Sequence, residues 1–188
     1  MAPKTFHAVA LAPIILGLKN AAAVLRKGEA HAKANNIDAS EYLTARLYPD
    51  MADLCFQVYR FTDTAKFIVQ RCNPSAPTIS IADDQTTFPE LLARIAKTLE
   101  YLESIEVDAL EGREDEEVVL HMAKNLPNGP IEIRFTAFEY VLRQAHPNFW
   151  FHVTTMYDIL RNKGVPVGKM DFLNGAGLTP LKWLGTNA

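Results

Sequence analysis

The 188-residue chain has little of several things, and each shortage closes off a class of function. Cysteine comes first: only Cys55 and Cys72 are present. Both fall in one predicted helix, where their separation of seventeen residues at 1.5 Å per residue places them about 25 Å apart. A disulfide needs Cα atoms within about 7 Å, so the two cannot pair. Burial as small apolar side chains is the expected role of both, with a nucleophilic thiol as the alternative. There is no excess of charge of one sign either. The 19 basic and 22 acidic residues leave a net charge of -3, which offers no general attraction for phosphate, so nucleic acid is not an expected partner. None of the nine glycines falls in a Gly-rich strand-to-helix turn, which argues against dinucleotide binding.

Long apolar runs are also missing. The stretch from Val9 to Leu18 is broken by Pro13 and Gly17 and is too short to span a bilayer. Only Lys4 precedes it as a basic residue, and no small-residue cleavage site ends it, so it does not read as a signal peptide. The expectation is a cytoplasmic protein without a membrane partner. The rest of the composition is ordinary: 48% hydrophobic and 22% charged residues describe a globular domain rather than a disordered one. A chain of this length can bury roughly two-thirds of its unfolded surface around one core.

What is present is helical period. Leu11, Ile14, Ile15, Leu18, Ala22 and Leu25 follow the three-and-four spacing of one apolar face, which predicts a first helix ending near Asn35. Asp38 and Glu41 have the spacing of a capping box and predict a short helix through Ala45. Pro49 then reads as the first turn of a second long helix, with Met51, Leu54, Cys55, Val58, Phe61, Thr62, Ala65 and Val69 inward. Asn73 to Thr86 lacks period and reads as a loop. Thr86 or Thr87 caps a third helix striped by Leu91, Leu92, Ile95, Leu99, Leu102 and Ile105. Val118 to Met122 and Ile131 to Phe135 are short β-type runs around Leu126-Pro127-Asn128-Gly129-Pro130, a hairpin or an irregular loop pair. A fourth helix follows Pro147, with Phe149, Val153, Met156, Ile159 and Leu160 inward, and Gly164 and Pro166 stop it. The fold class is therefore all-α, a four-helix bundle with a small β-hairpin excursion before the last helix. Residues 1–175 form the single domain and residues 176–188, with Leu178, Leu181, Trp183 and Leu184, a tail that packs on the body or on a partner.

His152 is the most informative residue for chemistry, because it lies three after Phe149 and four before Met156 on the inward stripe. An imidazole there costs free energy unless hydrogen-bonded. It is a core histidine bonded to a carbonyl or hydroxyl, or an acid/base or ligand-binding group, or a metal ligand. Spacing disfavours the last, since positions 148, 149, 155 and 156 are Asn, Phe, Thr and Met. His146 is expected as an exposed or capping residue at the helix start, and His7, His31 and His121 as exposed. Tyr48 and Asp50 stand at the mouth of the second helix. Asp50 suits a helix dipole and Tyr48 could present its hydroxyl to a ligand. Gln57, Arg60 and Lys66 lie off the apolar stripe, where a solvated or interface role outweighs catalysis.

The segments Leu47-Tyr48-Pro49-Asp50-Met51, Phe56-Gln57-Val58, Pro147 to Thr155, Ile159-Leu160-Arg161 and Gly168 to Leu173 resemble a domain-of-unknown-function family of about this length within the DinB/YfiT-like superfamily. The similarity runs to about Gly175. It implies a four-helix bundle with an interior cleft, often dimeric. In that superfamily the better-known members bind a divalent metal through three histidines and use low-molecular-weight thiols. Bacterial relatives carry a histidine in an Asp-His-Ala-Lys context, whereas this chain reads Asp63-Thr64-Ala65-Lys66 and keeps His152. With that ligand gone, no metal or other cofactor is expected. Fungal members also stand beside natural-product pathways. The leading expectation is a cofactor-free isomerase or cyclase acting on an apolar, aromatic or polyketide-like small molecule. His152 and Tyr48 would be catalytic, and Asp50, Gln57, Phe149, Thr155 and Met156 would bind substrate in a homodimer. A metal- and thiol-dependent transferase and a non-catalytic ligand-binding or dimeric module are the alternatives.

Overall fold

The structure is a computed structural model that describes residues 5–122 and 129–182. Four long helices form the bundle: α1 (Phe6–Ala34), α3 (Leu54–Cys72), α4 (Phe88–Glu103) and α6 (His146–Asn162). The shorter helices are α2 (Ser40–Leu43), α5 (Ala137–Tyr140) and α7 (Lys169–Asn174). Strands β1 (Glu117–Met122) and β2 (Ile131–Thr136) pair antiparallel in register from Glu117 opposite Thr136 to Met122 opposite Ile131. This is the all-α bundle with a hairpin excursion that the periodicities predict. Residues 126–128 of the expected hairpin connection, and Trp183 and Leu184 of the expected tail, lie outside the described residues.

α1 begins on Thr5, whose hydroxyl accepts from the Ala8 amide, and continues straight through Pro13 and Gly17. The apolar run is thus far longer than the two breakers suggest. By length and composition α1 could cross a membrane, with an 18-residue window of mean hydropathy 1.9, yet 56% of that window is buried inside the bundle. Leu11, Ile14, Leu18 and Leu25 are fully enclosed, as core positions of a packed helix are. Gly17 is required by packing: a Cβ there would stand 2.6 Å from the Phe149 ring and 2.8 Å from Trp150.

Two helix starts differ from expectation. Asp38 accepts from the Ser40 amide at 2.9 Å, but α2 has no side-chain cap, so the Asp38/Glu41 spacing does not close into a capping box. Pro49 does not open α3. Asp53 does, its carboxylate accepting from the Phe56 amide at 2.9 Å, and residues 44–53 form a loop clipped shut by the Leu54 amide donating to the Ala45 carbonyl. An N-cap aspartate satisfies one of the helix's orphan amides, which a proline at position 49 leaves to chance. Of the two threonines expected to cap α4, Thr87 does so, in a full capping box with Glu90.

The last long helix starts earlier than Pro147. α5 leads into a π-helical turn at Val141–Ala145, closed by the His146 amide bonding to the Val141 carbonyl, and α6 follows without a break. Gly164, at φ 87°, ends it. α3 packs most extensively on α6, and that contact holds the candidate site.

Candidate functional site

A polar seam runs through the otherwise apolar α3/α6 contact. At its centre Phe61 of α3 meets Phe149 of α6 edge-on at 5.9 Å, and Phe149 is fully buried. Beside that core pair lie two hydrogen-bonded rungs. His152 Nδ1 is 2.7 Å from Gln57 Oε1, and Asn148 Nδ2 donates to Thr64 Oγ1 at 2.7 Å. Asn148 and His152 are one turn apart on α6, so their side chains share a face.

The first rung fixes a tautomer. Gln57 is buried and spends its amide Nε2 on the Ala52 carbonyl at 3.0 Å, which turns its Oε1 toward His152. An amide oxygen only accepts, so the proton sits on His152 Nδ1 and the lone pair on Nε2. Burial, and secondly the positive charge of Arg60, push the His152 pKa down from 6.5 to about 4. The ring is therefore neutral at physiological pH, with a lone pair at its outer nitrogen. Phe56 packs on it edge-on at 6.3 Å and Phe151 at 5.2 Å, and both rings are substantially exposed.

Next to the seam is an ionic cluster that sequence reasoning missed. Arg94 of α4, 2% exposed, donates to Thr62 Oγ1 at 2.7 Å, to the Ala82 carbonyl at 2.6 Å and to Gln85 Oε1 at 2.9 Å. It pairs with Asp63 at 3.0 Å and Asp83 at 2.9 Å. Lys66 joins Asp63 at 2.7 Å, and Arg60 joins Asp63 at 2.8 Å and also Asp83. The cluster pins the 73–86 loop to the bundle. Its one sequence signal is an arginine at Leu91+3, inside the buried stripe of α4.

The expected site residues scatter. Gln57 is brought to His152, but it is buried rather than off the packed face, and so is Lys66. Phe149 and Met156 are completely enclosed in the core, and Thr155 is buried with its hydroxyl turned back on the Phe151 carbonyl. At that level the bundle interior is filled by side chains, and the polar groups sit at the edge of the α3/α6 contact. Tyr48 is 66% exposed and Asp50 is exposed in the 44–53 loop, outside any helical turn. His146 is not a cap: it is half-buried, its Nε2 donating to the Ala10 carbonyl at 3.0 Å. His7 and His31 are likewise half-buried and hydrogen-bonded, to the Ile105 carbonyl and the Tyr42 hydroxyl, while His121 is exposed beside Glu132. Burial raises the Cys55 thiol to about 11 and the Cys72 thiol to about 12, so both are inert neutral groups.

A family of unknown function, DUF1993, matches residues 6–173 of the chain. The chain belongs to that family. Its fold is similar to the crystal structure of a DinB family member protein from Shewanella denitrificans at 1.83 Å resolution, with 33% identity over 94% of both chains and a TM-score of 0.76. No curated protein matches it. The DUF1993 seam does not suit the three-histidine metal site that the DinB resemblance implies. Thr64, where that resemblance implies a histidine, is bonded to Asn148, and the seam offers one imidazole, two amides and one hydroxyl as donors. Among the described residues no three His, Cys, Asp or Glu side chains are grouped to hold a metal ion. Neutral amide and hydroxyl oxygens are poor partners for zinc or nickel.

Proposed function

We infer that the protein is a small-molecule isomerase or cyclase that works by proton transfer at the α3/α6 seam, without a metal or other cofactor, in the cytoplasm and as a homodimer. The observation that carries this reading is the Gln57–His152 hydrogen bond, which turns an unprotonated Nε2 away from Gln57 beside two partly exposed aromatic rings. A nitrogen so held is ready to accept a proton without first losing one. Its weak basicity suits substrates whose protons are already acidified, such as 1,3-dicarbonyl compounds and ketones with a C=C bond beside the acidic carbon. Phe56 and Phe151 offer such a molecule apolar flanks. General base catalysis of this kind supplies about 10²- to 10⁴-fold.

Turnover of aryl ketones, enones and 1,3-diketones by the purified protein, with no metal, thiol or nucleotide added, is the test. His152→Gln keeps the size and one hydrogen bond but not the basic nitrogen, so the rate should fall by about a hundredfold or more in a folded protein. Activity that appears only with a divalent metal and a thiol would replace this reading with the transferase one.

A further inference from the structure

Arg60 is the charged residue that belongs both to the ionic cluster and to the seam. It lies three residues after Gln57 and four before Thr64, on the strip of α3 that carries both rungs. Its Nη2 is engaged with Asp63 and Asp83. Its Nε is buried and has no hydrogen-bond partner. A guanidinium N–H withdrawn from water without an acceptor is a standing cost that a ligand oxygen removes. The directly paired set is also unbalanced: Arg60, Lys66 and Arg94 are three cations against the two carboxylates of Asp63 and Asp83. Arg60 and His152 gather about one aromatic ring, the guanidinium carbon 5.1 Å and the imidazole centroid 6.3 Å from the centroid of Phe56.

We propose that Arg60 Nε–H and His152 Nε2 form a two-point site for a small aromatic carbonyl compound, Arg60 Nε–H holding the oxygen that carries or develops negative charge and His152 Nε2 facing the acidic C–H, with Arg60 as a catalytic residue. This deepens the isomerase reading and rests on it for the reaction. His152 Nε2 takes the proton from the carbon beside the carbonyl. The C–H electron pair becomes the C=C bond of the enolate, and the C=O π pair moves onto oxygen, which Arg60 Nε–H holds. Where a C=C bond flanks that carbon, the enolate is extended. The imidazolium then returns the proton to the far end of that bond, the C=C bond shifts next to the carbonyl and the oxygen pair re-forms C=O. The sum is an isomerisation with no oxidant or reductant. A preorganised donor aimed at developing oxyanion charge is among the strongest catalytic devices available. A carboxylate presents the same charge permanently and should occupy the same site as an inhibitor.

The full-length protein labelled with ¹⁵N at arginine and histidine separates these cases by NMR, with benzoate as the carboxylate probe and 1-phenylbutane-1,3-dione as the enolisable one. Benzoate should shift the Arg60 Nε–H resonance saturably and move the His152 titration upward, because an anion facing the ring favours its charged form. Arg60→Gln should weaken benzoate by about tenfold or more, and Asp83→Asn, which breaks an ion pair but leaves Nε in place, should bind it like the parent. If Arg60→Gln does not fold, Arg60→Lys carries the same expectation, since it keeps the charge and lacks Nε. Unmoved Arg60 and His152 resonances, or parental benzoate affinity in a folded Arg60 variant, would overturn the site. Benzoate binding lost with Arg60, but no proton exchange in the dione, would keep the site and sink the isomerase reading. Dione exchange at the parental rate in Arg60→Gln would do the reverse.

Discussion

Asn148 of α6 donates to Thr64 of α3 across 2.7 Å, so the side chains at positions 64 and 148 touch, one helical turn from His152. Positions 148 and 152 share a face of α6 and position 64 meets position 148, while only one of the three bears an imidazole. Thr64→His combined with Asn148→His should therefore create a site for zinc or nickel with His152, at the 2.0–2.1 Å bonds that zinc and imidazole make (~2 Å). Elemental analysis and calorimetric titration check this: the double variant should bind one ion per chain, the parent should bind none stoichiometrically, and removing His152 from the double variant should abolish binding.

The depressed pKa of His152 makes stability pH-dependent. The folded ring takes up its second proton only below about 4, the unfolded one already below about 6.5. Between those values the unfolded chain binds the proton that the folded chain refuses, so folding loses stability as pH falls from 6.5 toward 4 and levels off below. The contribution is complete above 6.5. Denaturant midpoints of the parent and His152→Gln, measured from pH 4 to 7, should diverge in that window, with the parent declining more steeply.

Asp63 is bonded to Arg60, Lys66 and Arg94 at once, and the Arg94 side chain is only 1% exposed. Removing the carboxylate strands buried cations. Asp63→Ala should cost about 3–5 kcal/mol, the range for breaking a buried ion pair from one side. It should also loosen the 73–86 loop, through Asp83 and Arg94, which hydrogen exchange of that segment would detect.

Gly17→Ala tests the packing of α1 on α6. Alanine is the better helix former, so propensity alone predicts a gain of up to about 1 kcal/mol. The new Cβ would stand 2.6 Å from the Phe149 ring, and overpacking of that kind costs about 1–3 kcal/mol. A lowered thermal midpoint is the expected outcome, whereas a raised one would mean that Phe149 has room to withdraw.

Much of the bundle is legible because its signals are local. Leu91 to Leu102 and Thr87 with Glu90 announce α4 from within one stretch of chain, and Gly164 announces the end of α6. The start of α3 is not legible, because Pro49 suits a first turn as well as Asp53 suits a cap, and the Phe56 to Asp53 and Leu54 to Ala45 bonds decide between them. His152 stands out in sequence as a polar residue on an apolar stripe. Its partner does not: Gln57 reads as a surface residue until a helix 95 residues away covers it. Arg60 reads as a solvated or interface residue and Arg94 escapes notice for the same reason, since the aspartates that pair with them include Asp83 in a loop without pattern.

The π-helical turn at Val141–Ala145 places one residue more in its turn than an α-helix would, and each helical residue advances the side-chain direction by about 100°. The direction of every later side chain in α6 is thus set by a single inserted position. Deleting one residue within that turn would swing the whole of α6 round by about that angle, carrying His152 away from Gln57 and Asn148 from Thr64 while leaving each residue unchanged. The chemistry of the seam is in this sense an inheritance of backbone phase, and a relative lacking the insertion could keep both polar residues and still have no site.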